Sequence, residues 1–132
     1  MGHIIKEIPL ANGLTIRFRD LTRQYFGDFY LVKIEITCEV PLSIDLFSNA
    51  TDLEDARRLV GDSAIYYRTA EKMGVPSTAI GTVVERLIGT FSSHSLPYFA
   101  SPGFPSRFVR AELAKMRRNN SRATFSAIHR HD

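Results

Sequence analysis

The stretch FYLVKIEITCEV, running from Phe29 to Val40, decides the fold. Tyr30, Val32, Ile34, Ile36, Cys38 and Val40 alternate there with Leu31, Lys33, Glu35, Thr37 and Glu39. Period two held over that length specifies a strand with one face on a core and the other on water. Just upstream, Leu14, Ile16 and Phe18 alternate in the same way with Thr15, Arg17 and Arg19. Two amphipathic strands in succession, preceded by a third apolar run at the N-terminus, read as an antiparallel meander.

Turn chemistry sets the register. A two-residue Asn12-Gly13 loop would pair Ile8 with Arg17 and Glu7 with Phe18, putting polar groups on the apolar face. A three-residue loop, with Gly13 as the left-handed residue, pairs Leu10 with Leu14, Ile8 with Ile16 and Glu7 with Arg17. The second reading keeps each face uniform. The next hairpin turns at Gly27-Asp28, which matches Leu21 with Ile34 and Tyr25 with Tyr30 but puts Phe18 out of parity. One extra residue near Asp20, a β-bulge, restores Phe18–Ile36, Ile16–Cys38, Leu14–Val40 and Arg19–Glu35.

Helical signals follow Pro41. Thr51 and Glu54 have capping-box spacing, and Leu53, Ala56, Val60, Ala64, Tyr67 and Ala70 recur every three or four residues. That stripe predicts one helix ending at Gly74 and Pro76. A second helix starts after Ser77 with Ile80, Val84, Leu87, Ile88 and Phe91 on one side. Ser95 to Ser106 holds Pro97, Pro102 and Pro105 and reads as an irregular connection. A third helix is expected from Ser106 to Arg118, with Phe108, Val109, Leu113 and Met116 inward. The expected architecture is α+β, a three-stranded antiparallel β-meander followed by about three α-helices packed on one face of the sheet. Residues 1–118 form the expected domain, with strands over about 3–40 and helices over about 51–118, and 119–132 a flexible basic tail.

Composition narrows the class. The 132 residues, 44% apolar and 23% charged, suit one globular domain rather than a disordered or fibrous chain. Cys38 stands alone, so no intramolecular disulfide can form. The N-terminal apolar run is broken by Lys6 and Glu7, unlike a secretory signal. The uncharged run after Lys72 contains Gly, Pro and Ser and is far short of the roughly 20 apolar residues that span a bilayer. The expected compartment is cytoplasmic, with no membrane association. From Ser106 onward seven basic residues face two acidic ones, whereas the first 105 residues carry ten basic and twelve acidic. Any attraction to nucleic acid therefore belongs to the C-terminal segment.

Three sets of residues are candidate sites. At the second hairpin tip, Tyr25, Phe26, Phe29, Tyr30 and Leu31 crowd into seven positions. Alternation sends Tyr25 and Tyr30 to one face and Phe26, Phe29 and Leu31 to the other, where one helix layer would leave them bare. An exposed apolar patch of that kind marks an interface, most simply with a second copy. In the C-terminal segment, Arg107, Arg110, Lys115, Arg117, Arg118 and Arg122 compose a basic helix and arm able to track a phosphate backbone. His94, Tyr98, Phe99 and Phe104 are the candidate lining of a pocket near the 95–106 connection. Against a basic platform on the sheet, Glu7 sits across from Arg17 and Glu35 across from Arg19, so that face is a solvated, charge-paired surface.

No catalytic or cofactor motif stands out. The serines around His94 lack a glycine-flanked elbow, and one cysteine with tail histidines assembles no zinc set. Catalytic, metal and cofactor-binding residues are accordingly none. The expected function is a small non-catalytic interaction module, a possible homodimer or a binder of another protein. A nucleic-acid-associated regulator using the basic C-terminus is the alternative, and an enzyme or small-ligand binder the third reading.

Overall fold

The computed structural model describes residues 2–129, with side chains to Arg122. Its elements, in chain order, are β1 (His3–Pro9), β2 (Thr15–Asp20), β3 (Arg23–Phe26), β4 (Phe29–Pro41), α1 (Ala50–Leu59), β5 (Ser63–Pro76), α2 (Ile80–Ala100) and α3 (Phe104–His129). The class is α+β, and the sheet has five strands.

The sequence register holds along most of the meander. Glu7 lies opposite Arg17 and Ile8 opposite Ile16, and the Leu10 N–H donates to the Leu14 carbonyl at 2.7 Å. Gly13 takes φ 87°, the left-handed residue that the three-residue loop requires. Ile16–Cys38, Phe18–Ile36 and Arg19–Glu35 are paired as expected. The extra residue is not near Asp20. At Asp20 the strand only bends: the Thr22 N–H turns to the Asp20 carboxylate at 2.8 Å, while Leu21 still donates to the Lys33 carbonyl at 2.8 Å. The register slips between Gln24 and Phe26 instead, so Gln24 faces Tyr30 and Asp20, not Leu21, faces Ile34. The reason is local: a two-residue turn with Gly27 at φ 53° fixes Phe26 opposite Phe29. A second bulge lies between Ile4 and Lys6.

Because β2 and β3 follow one another along a single edge of β4, the other edge is left for β5. β5 is where the predicted first helix fails. α1 starts at Ala50, one residue before Thr51, and its cap is Asn49 rather than Thr51, the Asn49 side chain accepting from the Asp52 N–H at 2.8 Å. It ends at Leu59 because Gly61, at φ 110°, supplies the left-handed stop and donates to the Ala56 carbonyl at 3.2 Å. Ala64, Tyr67 and Ala70 then continue in extended backbone, where β-branched and aromatic Ile65, Tyr66, Tyr67 and Thr69 are at home.

Two compact units form, interleaved along the chain: the residues to Glu39 with Ile65–Pro102, and Val40–Ala64 with the chain from Gly103 onward. In the first, α2 covers one face of the sheet. Phe18, fully buried, meets Phe91 edge-on at 5.8 Å, and Val32 clusters with Val75 and Val83. The helix passes through Pro97 rather than ending before it. An interior proline costs about 3 kcal/mol, and here it falls in the last turn. Phe99, two residues on, is buried against Phe91 at 5.7 Å and Tyr66 at 4.6 Å. Asn12 fixes the same end, donating to the Phe99 and Ser101 carbonyls at 2.7 and 3.2 Å. In the second unit, Phe104, Val109 and Leu113 on α3 are buried together with Leu42, Phe47 and Ala56. Pro105 sits in the first turn of α3, where its missing N–H has no intrahelical partner to lose. The helix continues past Arg118, so residues 119–129 extend it where a tail was expected; residues 130–132 lie outside the described residues.

Gly81 and Gly89 lie within α2, and a Cβ at either would meet nothing within 4 Å. They weaken the helix without allowing a closer approach. Gly89→Ala is therefore expected to raise the unfolding free energy by about 0.5–1 kcal/mol in urea titration. Phe18→Ala should lower it by about 3–5 kcal/mol, while Phe26→Ala, at a side chain 73% exposed, should change it by under about 0.5 kcal/mol.

Candidate functional site

The hairpin tip is exposed as its sequence implied, but not in full. Phe26 is 73% exposed, and Tyr25 and Phe29 are each 45% exposed. Leu31 is buried, which removes it from the patch, and Tyr30 is half-buried. The tip is rigidly built: the Gln24 side-chain amide donates to the Gly27 carbonyl, and the Ser77 N–H reaches the Asp28 carboxylate at 3.4 Å. That last contact draws the end of β5 alongside the tip, and a Cβ on Gly74 would lie 3.8 Å from the Tyr25 hydroxyl.

β5 was not anticipated as a strand, and it adds to the apolar surface. Ile65, Tyr67 and Met73 are 57%, 59% and 63% exposed. Among the described residues β5 has one strand partner, β4, so its far edge offers backbone donors and acceptors over 14 residues. The opposite edge of the sheet, β1, is half that length, carries a bulge, and has Lys6, Glu7 and Pro9 along it. Those are the devices that blunt an edge against pairing. β5 is twice as long, and although Arg68, Glu71 and Lys72 lie along it, its left-handed Gly74 and its Pro76 come only near its end.

The solvent face between these edges is charge-paired as expected. Arg17 Nε donates to Glu7 at 2.8 Å, and Arg19 Nε stands 4.0 Å from Glu35. Beneath it, Cys38 is sealed in the core; burial pushes its thiol up to about 11, against a smaller opposing pull from Arg17. Such a thiol is not a nucleophile at neutral pH.

The C-terminal cations are divided. Arg117 bonds Asp52 at 2.9 Å and Asp55 at 2.7 Å, tying α3 to α1. Arg110 Nε donates to the Leu46 carbonyl at 3.0 Å, and the Arg107 guanidinium lies over Gly103. Lys115, Arg118 and Arg122 are exposed at spacings that put them on one side of α3.

Phe99 is buried in the first unit and Tyr98 is 52% exposed, while Phe104 belongs to the second unit, stacked on Phe108 at 5.6 Å. His94 lines a pocket of about 430 Å³ between α2 and β5. A second depression, about 820 Å³, is lined on α2 by Gly81, Glu85 and Gly89 and on the sheet by Lys6 and Asp20. Among the described residues no group of three or more His, Cys, Asp or Glu side chains is placed to hold a metal, and no helix is long and apolar enough to cross a membrane. Comparison with protein-family models, with curated proteins and with solved structures finds no match.

The Arg117 pair carries a definite pH signature. The Arg117 hydrogen bond holds the Asp55 carboxyl below its ordinary value, and the two aspartates raise Arg117 in turn. A carboxyl lowered by folding stabilises the native state above its unfolded pKa and loses that contribution as pH falls through the folded one. Arg117→Gln is thus expected to be less stable than the parent at pH 7, with the difference closing as the solution is acidified below the carboxylate range. A difference that persists unchanged at acid pH would show that packing, not the ion pair, is responsible.

Proposed function

We propose that this chain is a small non-catalytic cytoplasmic interaction module whose partner is a second copy of itself. The observation that carries the reading is the open edge of β5: a 14-residue strand with one strand partner among the described residues and exposed Ile65, Tyr67 and Met73 along it. An edge of this kind is a template for strand addition.

The edge is complementary to itself. Antiparallel pairing about a two-fold axis at Thr69 sets Ile65 across from Met73 and Tyr67 across from Glu71. On the other face Arg68 meets Ala70 and Lys72 meets Tyr66, so no like charges are opposed. A shift of one pair in either direction opposes Arg68 to Arg68 or to Lys72, which favours the Thr69 register. The aromatic tip, alongside the end of β5, adds apolar area at the rim of the same contact. The compartment belongs to this reading: the lone Cys38, buried on β4, forms no intramolecular disulfide and calls for no oxidising environment.

The measurement is light scattering after size exclusion at low and high salt, with absorbance read at 260 and 280 nm. A salt-stable mass near twice 14.9 kDa is expected, falling to the monomer in Ile65→Lys/Tyr67→Lys with the circular dichroism unchanged. A parent that stays monomeric at millimolar concentration would refute the reading. A heavy low-salt species rich in 260 nm absorbance would instead favour nucleic-acid binding by Lys115, Arg118 and Arg122.

A further inference from the structure

The pocket of about 430 Å³ beside His94 combines an apolar lining with two arginines, one of them Arg68 on β5. Its floor is apolar: Ile36 from β4 and Leu87 and Phe91 from α2. Its lining also includes two exposed arginines, Arg68 from β5 and Arg86 from α2, together with Thr90 and Ser95. No carboxylate lines it. Among the described residues neither Arg68 nor Arg86 has a hydrogen bond or ion pair, in contrast to Arg17 and Arg117.

Two arginines from two elements that line one pocket with no carboxylate among its lining make a positive site that an anion would offset. The guanidinium fork suits a carboxylate in particular, giving paired, charge-assisted hydrogen bonds. His94 contributes orientation. Its Nδ1 is 2.9 Å from the Thr90 carbonyl, an acceptor only, so Nδ1 carries the proton and donates, leaving Nε2 for a ligand. The volume is that of a small-molecule site, and an apolar floor with a few polar groups at one end is the usual form of such sites.

We propose that this pocket binds a small organic carboxylate with an apolar body, its head between Arg68 and Arg86 and its hydrocarbon on Ile36, Leu87 and Phe91. Both halves of the ligand are needed: the anion alone leaves the floor wet, and the hydrocarbon alone leaves the guanidiniums unopposed.

The test is a nuclear magnetic resonance titration of the full chain with three probes: octanoate, octanol and inorganic phosphate. Octanoate is expected to shift the Thr90, His94 and Ser95 amides saturably, with octanol and phosphate each at least tenfold weaker. Arg68→Gln/Arg86→Gln should weaken octanoate at least tenfold with the amide spectrum otherwise retained, while Arg57→Gln, on α1, should leave it unchanged. Octanol binding as tightly as octanoate, equal affinity in the double variant, or no octanoate shift at those amides would each overturn the proposal. Arg86→Gln alone, on α2 and outside the β5 seam, should also weaken octanoate, so the outcome is read apart from the β5 contact.

Discussion

Everything in the first unit is referred to β4. Val32, Ile34, Ile36 and Cys38 are each at most 1% exposed on one face, while Lys33, Glu35 and Thr37 remain half-covered on the other. Sealing one face while wetting the other requires that α2 cover the first and that neighbours hydrogen-bond both edges. β2 and β3 take one edge and β5 the other. A slip of one residue would carry Val32 through Cys38 to solvent and bring Lys33 and Glu35 inward, a change no local interaction could offset. The register is therefore the constraint that places Phe18 under Phe91, Arg17 across from Glu7, and Arg68 and Ile36 in one pocket.

How much of this was legible follows from what each signal depends on. Alternation and the Asn12-Gly13 turn are local, and from them came the pairs Ile8–Ile16, Phe18–Ile36 and Arg19–Glu35. The position of the bulge was not local: parity demanded one extra residue between Phe18 and Tyr30, and only the geometry at Gly27 put it next to Tyr25. β5 was lost because Ala64, Tyr67 and Ala70 fit a helical spacing as well as they fit a strand, and Gly61 was passed over as a stop. Pro97 misled in the opposite direction, since the burial of Phe99 that accompanies its helix is tertiary. The pocket was invisible for a related reason. Arg68 and Arg86 are eighteen positions apart, on a strand read as a helix and on the helix that covers it.

Charge is used here chiefly to organise. The excess of basic residues after Ser106 looks like a ligand-seeking surface in sequence, yet Arg117 and Arg110 reach back to Asp52, Asp55 and the Leu46 carbonyl. They tie α3 to the segment from Ile44 to Leu59, beside the buried Phe47 and Ala56. Exposed pairs of this sort contribute little each, but Arg117 Nη2 donates to two α1 carboxylates at once. What remains for partners is the smaller set on the far side of α3.

The unequal edges of the sheet also determine how large an assembly can become. A strand edge that accepts a copy of itself is the starting condition for fibrous growth, because each addition commonly presents a fresh edge. Here the two edges differ: β5 is long, whereas β1 is short, bulged and ends in Pro9. In the dimer proposed above, joining two β5 strands would use both long edges and leave only the short β1 and the four-residue β3 at the other side of each sheet. In that dimer, the limit on growth would come from short edge strands at the start of the chain, far in sequence from β5.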